Sequence, residues 1–331
     1  MIDTTDFRKA IELINNSTNV LLTSHTRPDG DACGSVRAMC DMLIWLGKKA
    51  QPIFLSPIAA WYKFLFDKKV PILGNDLSIE QLDREPYAAC DLVVIIDTNS
   101  YVQLPDLDRW LRKSRKKVLV IDHHVTGDNL GDVELLDPSA AAAGEIIYDL
   151  IKYANWPVSL DVAEALFVAI ATDSGWFRFS NADARIYRNA AELIDKGVVA
   201  ATVYQKLYQN FAPSRLKLMA RMLESLEMHC NDRVAVQYIM RKDFDETGAT
   251  GRETENLIDQ CQQINSVRVA VLLVELKDGF RCSLRSKSKL DVRSIAQKFG
   301  GGGHTTAAGV NLKGPLRKAK KLILDEIKKQ L

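Results

Sequence analysis

Three short runs constrain the architecture of this chain more than any other feature. Asn19–Ser24 (NVLLTS), Asp91–Asp97 (DLVVIID) and Lys117–Asp122 (KVLVID) are almost wholly apolar, and each ends in a cluster of polar residues. Strands without apolar–polar alternation are covered on both faces, which is the condition of a parallel sheet. Segments of helical spacing lie between and after them: Cys33–Leu46, stopped at Gly47, then Ala143–Tyr153 and Val162–Thr172. The expected fold is therefore α/β, with an N-terminal, mostly parallel sheet carrying helices on both faces. Sheets of this kind bind ligands beyond the carboxyl ends of their strands, and that is where the polar clusters fall.

The 331 residues suffice for two domains at the usual ~100–200 residues each. Helical periodicity with no strand signal runs from about Ala184 to Met228, and a new rhythm starts at Asp232. A strand (Arg233–Met240) and a helix (Glu253–Ile264) are followed by a hairpin, Val267–Leu276 and Phe280–Ser286 across Lys277-Asp278-Gly279. A short helix (Asp291–Phe299), a glycine run and a basic helix (Leu316–Gln330) complete it. The expected division is a first domain over 1–185, a helical connector over 186–228, and a smaller C-terminal α/β domain over 229–331.

A net charge of +2, from 44 Lys+Arg against 42 Asp+Glu, excludes a protein that holds long nucleic acid by charge alone. No aromatic stacking stripe equips the chain to track a long strand. The longest apolar runs, such as Ala165–Ala171, fall far short of the ~20 residues that span a membrane. The opening MIDTTDFRKAIELI reads as a capped amphipathic helix rather than a signal peptide. Six scattered cysteines without a CxxC pair read as reduced thiols, which places the protein in the cytoplasm.

The chemistry gathers where the strands end. The first strand runs into Ser24-His25-Thr26-Arg27-Pro28-Asp29-Gly30-Asp31, where Asp29 and Asp31 flank a glycine and His25 lies four residues upstream of Asp29. Alone, this loop serves equally as an Asp-Gly turn with a helix N-cap. The second strand ends at Asp97, the third at Asp122-His123-His124, and the helix Val162–Thr172 leads into Asp173. Five aspartates and three histidines on one rim of one sheet repel one another unless cations are present. If Asp29, Asp31, Asp97 and Asp173 are ligands, their four charges balance two divalent ions. Asp97 is the natural bridge, because its strand is expected between the other two.

The ordered set HTRPDGD, VVIIDT, IDHH and TDSGWF resembles the motifs of the DHH phosphoesterase family, and FGGGGHTTAAG (Phe299–Gly309) resembles its DHHA1 partner domain. The two-domain length is similar to the nano-RNase/pAp-phosphatase branch. The resemblance implies two Mn2+ (or Mg2+) per chain, one on His25, Asp29 and Asp97, the other on Asp31, Asp97, His123 and Asp173. It also implies that His124 faces the substrate phosphate and that Asp122 orients the histidines. The reaction so implied is two-metal, activated-water, in-line attack on phosphorus. Its substrates are short RNA or a nucleotide bisphosphate, its products mononucleotides or AMP, and a homodimer is implied as well.

In the second domain Arg281 and Arg285 alternate with Cys282 and Leu284, so both can face a cleft and clamp phosphate. Gly301, Gly302 and Gly303 expose backbone N–H groups for a phosphate or base, and His304 follows. A solvated strand and a flexible helix-cap loop are the plain alternatives for these two features. No membrane and no long double-stranded nucleic acid is expected as a partner. Competing functions are hydrolysis of pApA or single-stranded DNA by the same metals, or a catalytically silent nucleotide sensor.

Overall fold

The computed structural model describes residues 2–125, 127–287 and 290–331, and the chain divides into two compact units, Met1–Asn210 and Phe211–Leu331. The first unit contains, in chain order, α1 (Thr4–Asn15), β1 (Asn19–Ser24), α2 (Gly30–Trp45), β2 (Lys49–Pro52), β3 (Leu92–Ile96), α3 (Leu107–Ser114), β4 (Lys117–Asp122), β5 (Val133–Leu136), α4 (Ala143–Tyr153), α5 (Leu160–Asp173), α6 (Ala184–Asp195) and α7 (Ala200–Tyr208). Its five strands are all parallel, in the order β2-β1-β3-β4-β5. Alternate residues of the strands serve the two faces. Leu21, Val93, Ile95, Val118 and Val120 pack with Leu82, Leu104, Leu107 and Trp110 on the α3 side. The intervening Leu22, Val94 and Leu119 are in register with one another and completely buried on the α2–α4–α5 side.

This strand order puts the topological switch point between β1 and β3, where open α/β sheets leave a crevice. β3 lies between β1 and β4 as expected, so Asp97 emerges between the loops that follow those strands. α2 starts at Gly30, three residues earlier than the periodicity predicts, because Asp29 caps it by accepting a hydrogen bond from the Ala32 N–H. The edge strands β2 and β5, each four residues long, have no counterpart in the sequence reading.

The second unit holds α8 (Pro213–Glu224), β6 (Glu227–His229), β7 (Val234–Ile239), α9 (Arg241–Thr247), β8 (Val269–Leu276), β9 (Gly279–Ser286), α10 (Val292–Gln297), β10 (Gly302–His304), β11 (Ala307–Lys313) and α11 (Leu316–Lys328). Its six strands run in the order β10-β11-β9-β8-β7-β6, antiparallel except for the parallel pair β7–β8. Two features correct the sequence reading. The segment expected as a free-standing connector, 186–228, is shared between the units: α6 and α7 belong to the first, α8 to the second. Each of these helices has an apolar stripe that needs a wall. Ile186, Ala190 and Leu193 of α6 are buried on the α5 side, and Leu218 and Met222 of α8 are completely buried with Ala235, Ala270 and Leu272. The expected helix Glu253–Ile264 is instead two short 3₁₀ segments, Gly251–Thr254 and Leu257–Gln263, separated by Asn256 at φ +57°. A left-handed residue cannot continue an α-helix, and asparagine tolerates that conformation. No helix among the described residues is long and apolar enough to cross a membrane.

Candidate metal centre

The crevice at the β1/β3 switch point collects all eight residues singled out in the first half of the chain. His25 Nε2 lies 3.2 Å from Asp97 Oδ2 and 3.9 Å from Asp29 Oδ1. His123 Nε2 lies 3.4 Å from Asp97 Oδ1, 3.7 Å from Asp173 Oδ2 and 3.8 Å from Asp31 Oδ2. Two triads with no shared residue result, His25–Asp29–Asp97 and Asp31–His123–Asp173, and a third group, Asp97–His123–His124, overlaps them; each has its donor atoms within 4.8 Å of one another. Asp97 touches both.

Hydrogen bonds explain why these atoms face inward. The Nδ1–H of His25 donates to the Thr26 carbonyl at 2.8 Å, and that of His123 to the Ala140 carbonyl at 3.2 Å. Both Nε2 atoms are thereby aimed at carboxylates, the arrangement in which a backbone carbonyl fixes a ligating imidazole. Asp31 accepts from Ser35 Oγ at 2.7 Å and from the Ala143 and Gly144 N–H groups at 2.6 and 3.0 Å, so the N-terminus of α4 holds it in place. Asp97 is itself at φ +61°, a conformation aspartate adopts more readily than most side chains.

Electrostatics show what the cluster lacks. Burial opposes charge on His25, yet the hydrogen bond with Asp97 and the fields of Asp29 and Asp97 win, and its pKa is pushed up to about 10. The same contest holds His123 well above the ordinary imidazole range. Asp173 is raised to about 6, chiefly by burial, and burial likewise holds Asp31 well above the ordinary carboxylate range. Asp97 Oδ1 is buried and accepts no hydrogen bond. An orphaned carboxylate oxygen, two buried imidazoles and three further carboxylates form the donor set of hard-to-borderline divalent cations. The residues therefore fit such ions.

His124 stands at the edge of the cluster, its Nδ1 3.9 Å from Asp97 Oδ1. Its Nδ1 is 2.7 Å from Asp122 Oδ1, which also accepts from the His124 N–H, and its side chain is about a third exposed. Asp122 orients His124 alone; the partner of His123 is the Ala140 carbonyl, a correction to the expectation that Asp122 would serve both.

The loop carrying Ala140 is braced by residues the sequence reading did not select. Arg185 on α6 reaches Asp137, Glu145 and Asp149, and Glu145 accepts from the Ala141 N–H at 2.8 Å. These positions are 48 residues apart at the widest, and nothing but the tertiary fold brings them together. Arg185→Lys keeps the charge but loses the fork that spans three carboxylates. We expect divalent-ion affinity of the cluster to fall about tenfold through His123, as when a residue supporting a ligating side chain is lost, with a loss of about 1–2 kcal/mol in thermal or denaturant unfolding.

After Asp173 the chain makes an unusual turn. Gly175, Trp176 and Phe177 are consecutive at φ +59°, +60° and +62°. For the two aromatic residues such a backbone costs about 1–3 kcal/mol each.

In the second unit, β9 alternates buried and half-buried residues, with Phe280, Cys282 and Leu284 in one core. Arg281 and Arg285 lie on the opposite face. Register places them opposite Asn311 and Ala307 of β11, with Ser283 opposite Gly309 and Gly309 opposite Gly302. One face of β9–β11–β10 thus carries two arginines and a nearly side-chain-free stretch. Arg281 Nη2 donates to Thr254 Oγ1 at 2.5 Å, and Arg285 Nε is 3.4 Å from Asp259 Oδ1. The glycine run is no flexible loop. A Cβ at Gly301 would lie 2.2 Å from the Gly309 carbonyl oxygen, and one at Gly303 2.4 Å from that of Ala307, so close pairing with β11 requires both. Gly300 and Gly302 have open space about them. The side chain of His304 lies outside the described residues.

Residues 19–172 match the DHH family, N-terminal domain, and residues 231–331 match the DHHA1 domain. The chain belongs to the DHH family. It is similar to the bifunctional oligoribonuclease and PAP phosphatase NrnA of Thermus thermophilus, 28% identical over 94% of this chain and 90% of that protein. The NrnA protein of Bacillus subtilis, of the same description, is also 28% identical, over 91% of this chain and 92% of its own. Among solved structures, an exopolyphosphatase-related protein from Bacteroides fragilis superposes with a TM-score of 0.89 at 22% identity, covering 99% of this chain and 97% of that one. That likeness confirms the two-unit fold of this DHH phosphoesterase.

Proposed function

We propose that this DHH protein hydrolyses short oligoribonucleotides to mononucleotides and 3′-phosphoadenosine 5′-phosphate to AMP, with two divalent ions, manganese foremost. The observation that carries this reading is the pair of triads joined at Asp97, in a chain similar over nearly its full length to oligoribonuclease/PAP phosphatases. His25, Asp29 and Asp97 would hold one ion; Asp31, Asp97, His123 and Asp173 the other. Ions held there supply Lewis acidity toward a phosphoryl group and lower the pKa of water.

The chain's own residues do the rest. Burial works against charge on His124, but the hydrogen bond from Nδ1 to the Asp122 carboxylate raises its pKa, which favours the imidazolium, in which Nε2 also carries an N–H. Partly exposed and fixed by Asp122, that N–H donates to a non-bridging phosphoryl oxygen as negative charge builds there. The open Gly302 with Gly309, flanked by Arg281 and Arg285, offers a flat surface for a base and cations for phosphate. Asp259 offsets part of the Arg285 charge.

The test is a side-by-side assay with Mn2+ on pAp, 5′-phosphorylated RNA of two to about ten nucleotides, short DNA and pyrophosphate. Turnover of pAp and the shortest RNA is expected, and silence on both would overturn the reading.

Metal binding carries its own pH signature. In the metal-free protein His25 keeps its proton up to about 10, and Asp173 is protonated below about 6. A ligating imidazole must be neutral, so an ion displaces the His25 proton. Calorimetry at pH 7.5 in buffers of different ionisation enthalpy is expected to show at least one proton released per chain. Affinity is expected to rise with pH and to drop further as pH falls through 6. Binding without proton release would contradict this ligand set.

A further inference from the structure

The left-handed turn after Asp173 has a product: it delivers Arg178 in a fixed pose. The turn is clamped from three helices. Trp176 packs edge-on against Phe167 of α5 and against Tyr204 and Tyr208 of α7, at ring-centroid distances of 5.9, 5.1 and 5.7 Å. Phe177 stacks on Tyr187 of α6 at 5.5 Å, and the Tyr187 hydroxyl donates to the Phe177 carbonyl at 3.1 Å. Ser174 Oγ accepts from the Phe177 N–H at 3.1 Å. At the exit of the turn, Arg178 Nε donates to the Gly175 carbonyl at 2.6 Å, and its guanidinium lies 5.9 Å over the Phe179 ring. Phe179 in turn covers Gly175, where any Cβ would lie 2.4 Å from the ring.

A guanidinium oriented in this way ordinarily faces a carboxylate, as Arg37 faces Asp41 and Arg185 faces Asp137. Arg178 is exposed and has no carboxylate within ion-pair distance among the described residues. Its Nε is spoken for, so its two Nη groups form the outward edge of a planar, bidentate donor, the geometry that suits a phosphate. The anchoring carbonyl is two residues past Asp173, and at ~3.6 Å of reach per residue the guanidinium stays within about 12 Å of that residue. It is thus within about 12 Å of Asp173 without belonging to either triad.

We propose that Arg178 binds a phosphate of the substrate other than the one that is cleaved. The proposal rests on the phosphoesterase reading above and adds to it a selectivity for substrates with a second phosphate one ribose away. Trp176, Phe177 and Tyr187 are positioning residues for that guanidinium.

The test reads binding as well as turnover. Calorimetric titration of the Ca2+-loaded protein with adenosine 3′,5′-bisphosphate and with adenosine 3′-monophosphate, which keeps the cleaved phosphate and lacks the other, is expected to show at least tenfold tighter binding of the bisphosphate. Arg178→Gln is expected to erase that difference and Arg178→Lys to restore part of it. With Mn2+, Arg178→Gln should raise KM for the bisphosphate about tenfold and leave kcat within twofold. Arg188→Gln, an exposed arginine of α6, serves as the charge control and should change neither. An Arg178→Gln protein that keeps the bisphosphate preference overturns the proposal. So does one that loses Mn2+ affinity or kcat, because Arg178 would then act through Asp173. If the wild type prefers the bisphosphate in titration yet hydrolyses none, the proposed function falls and the role of Arg178 stands.

Discussion

Replacing Asp97 by asparagine is expected to abolish turnover of pAp and short RNA and to remove both ions from the protein. Substitutions one layer outside a metal site already cost 10–100-fold in affinity or activity. Asp97 is the single carboxylate within reach of both imidazoles, at 3.2 and 3.4 Å, so a loss beyond ~10³-fold is the expected scale. Asparagine is the informative choice because position 97 sits at φ +61°, which asparagine adopts as readily as aspartate. The backbone then stays where it is, and what changes is charge. Two readouts separate loss of metal from loss of fold. Metal content after dialysis should fall to background. The rise in melting temperature that Mn2+ gives the wild type, worth about 2.7 kcal/mol at a hundred times Kd, should vanish. A variant that keeps two ions per chain would remove Asp97 from its bridging role.

That centre shows how far a sequence can carry an argument of this kind. β1 and β4 match the apolar runs residue for residue, as does α4 its helical pattern. Strands buried on both faces leave an unbroken apolar signal, and a helix with a wide buried face leaves a periodic one. The edge strands β2 (Lys49–Pro52) and β5 (Val133–Leu136) are short, of mixed polarity and only partly buried, so neither signal forms. β10 and β11 were hidden for another reason: glycines read as loop, while here two of them permit close strand pairing. The eight residues that meet in the candidate site stood out in the sequence because carboxylates and histidines at strand ends have few structural uses. The Arg185 brace and the clamp around Trp176 were not. Their members look ordinary one by one, and their meaning lies in contacts between α5, α6 and α7 that no local pattern encodes. Asp29 is instructive in another way. The choice between helix cap and metal-facing carboxylate was no real choice, since the same side chain caps α2 and stands in the His25 triad.

The second large effect lies in the packing that holds these loops in place. Gly34 on α2 faces α5 so closely that a Cβ there would lie 2.4 Å from the Ala165 carbonyl oxygen and 2.9 Å from the Ala169 nitrogen. Across the same contact, a Cβ at Gly144 of α4 would meet that of Ala169 at 2.5 Å. The obstacle at Gly34 is the backbone of α5 where its residues 165–171 are all buried, and it cannot turn aside as a side chain can. Gly34→Ala therefore forces α2 and α5 apart, an overpacking that typically costs 1–3 kcal/mol. At roughly 2–4 °C per kcal/mol for a unit of this size, the first unit should melt about 2–12 °C lower. Its helix-forming gain over glycine, about 1 kcal/mol, opposes this and makes alanine the mild case. Gly34→Leu has no such accommodation and is expected to leave the first unit unfolded or insoluble. Because Asp31 sits one turn before Gly34 and Asp173 ends α5, even the alanine variant should lower metal affinity in proportion to the displacement. An unchanged melting temperature in Gly34→Ala would mean that α2 and α5 have room the structure does not show. The small residues of this seam therefore serve the metal centre as directly as its ligands do: they set the distance between the two helices from which Asp31 and Asp173 approach His123.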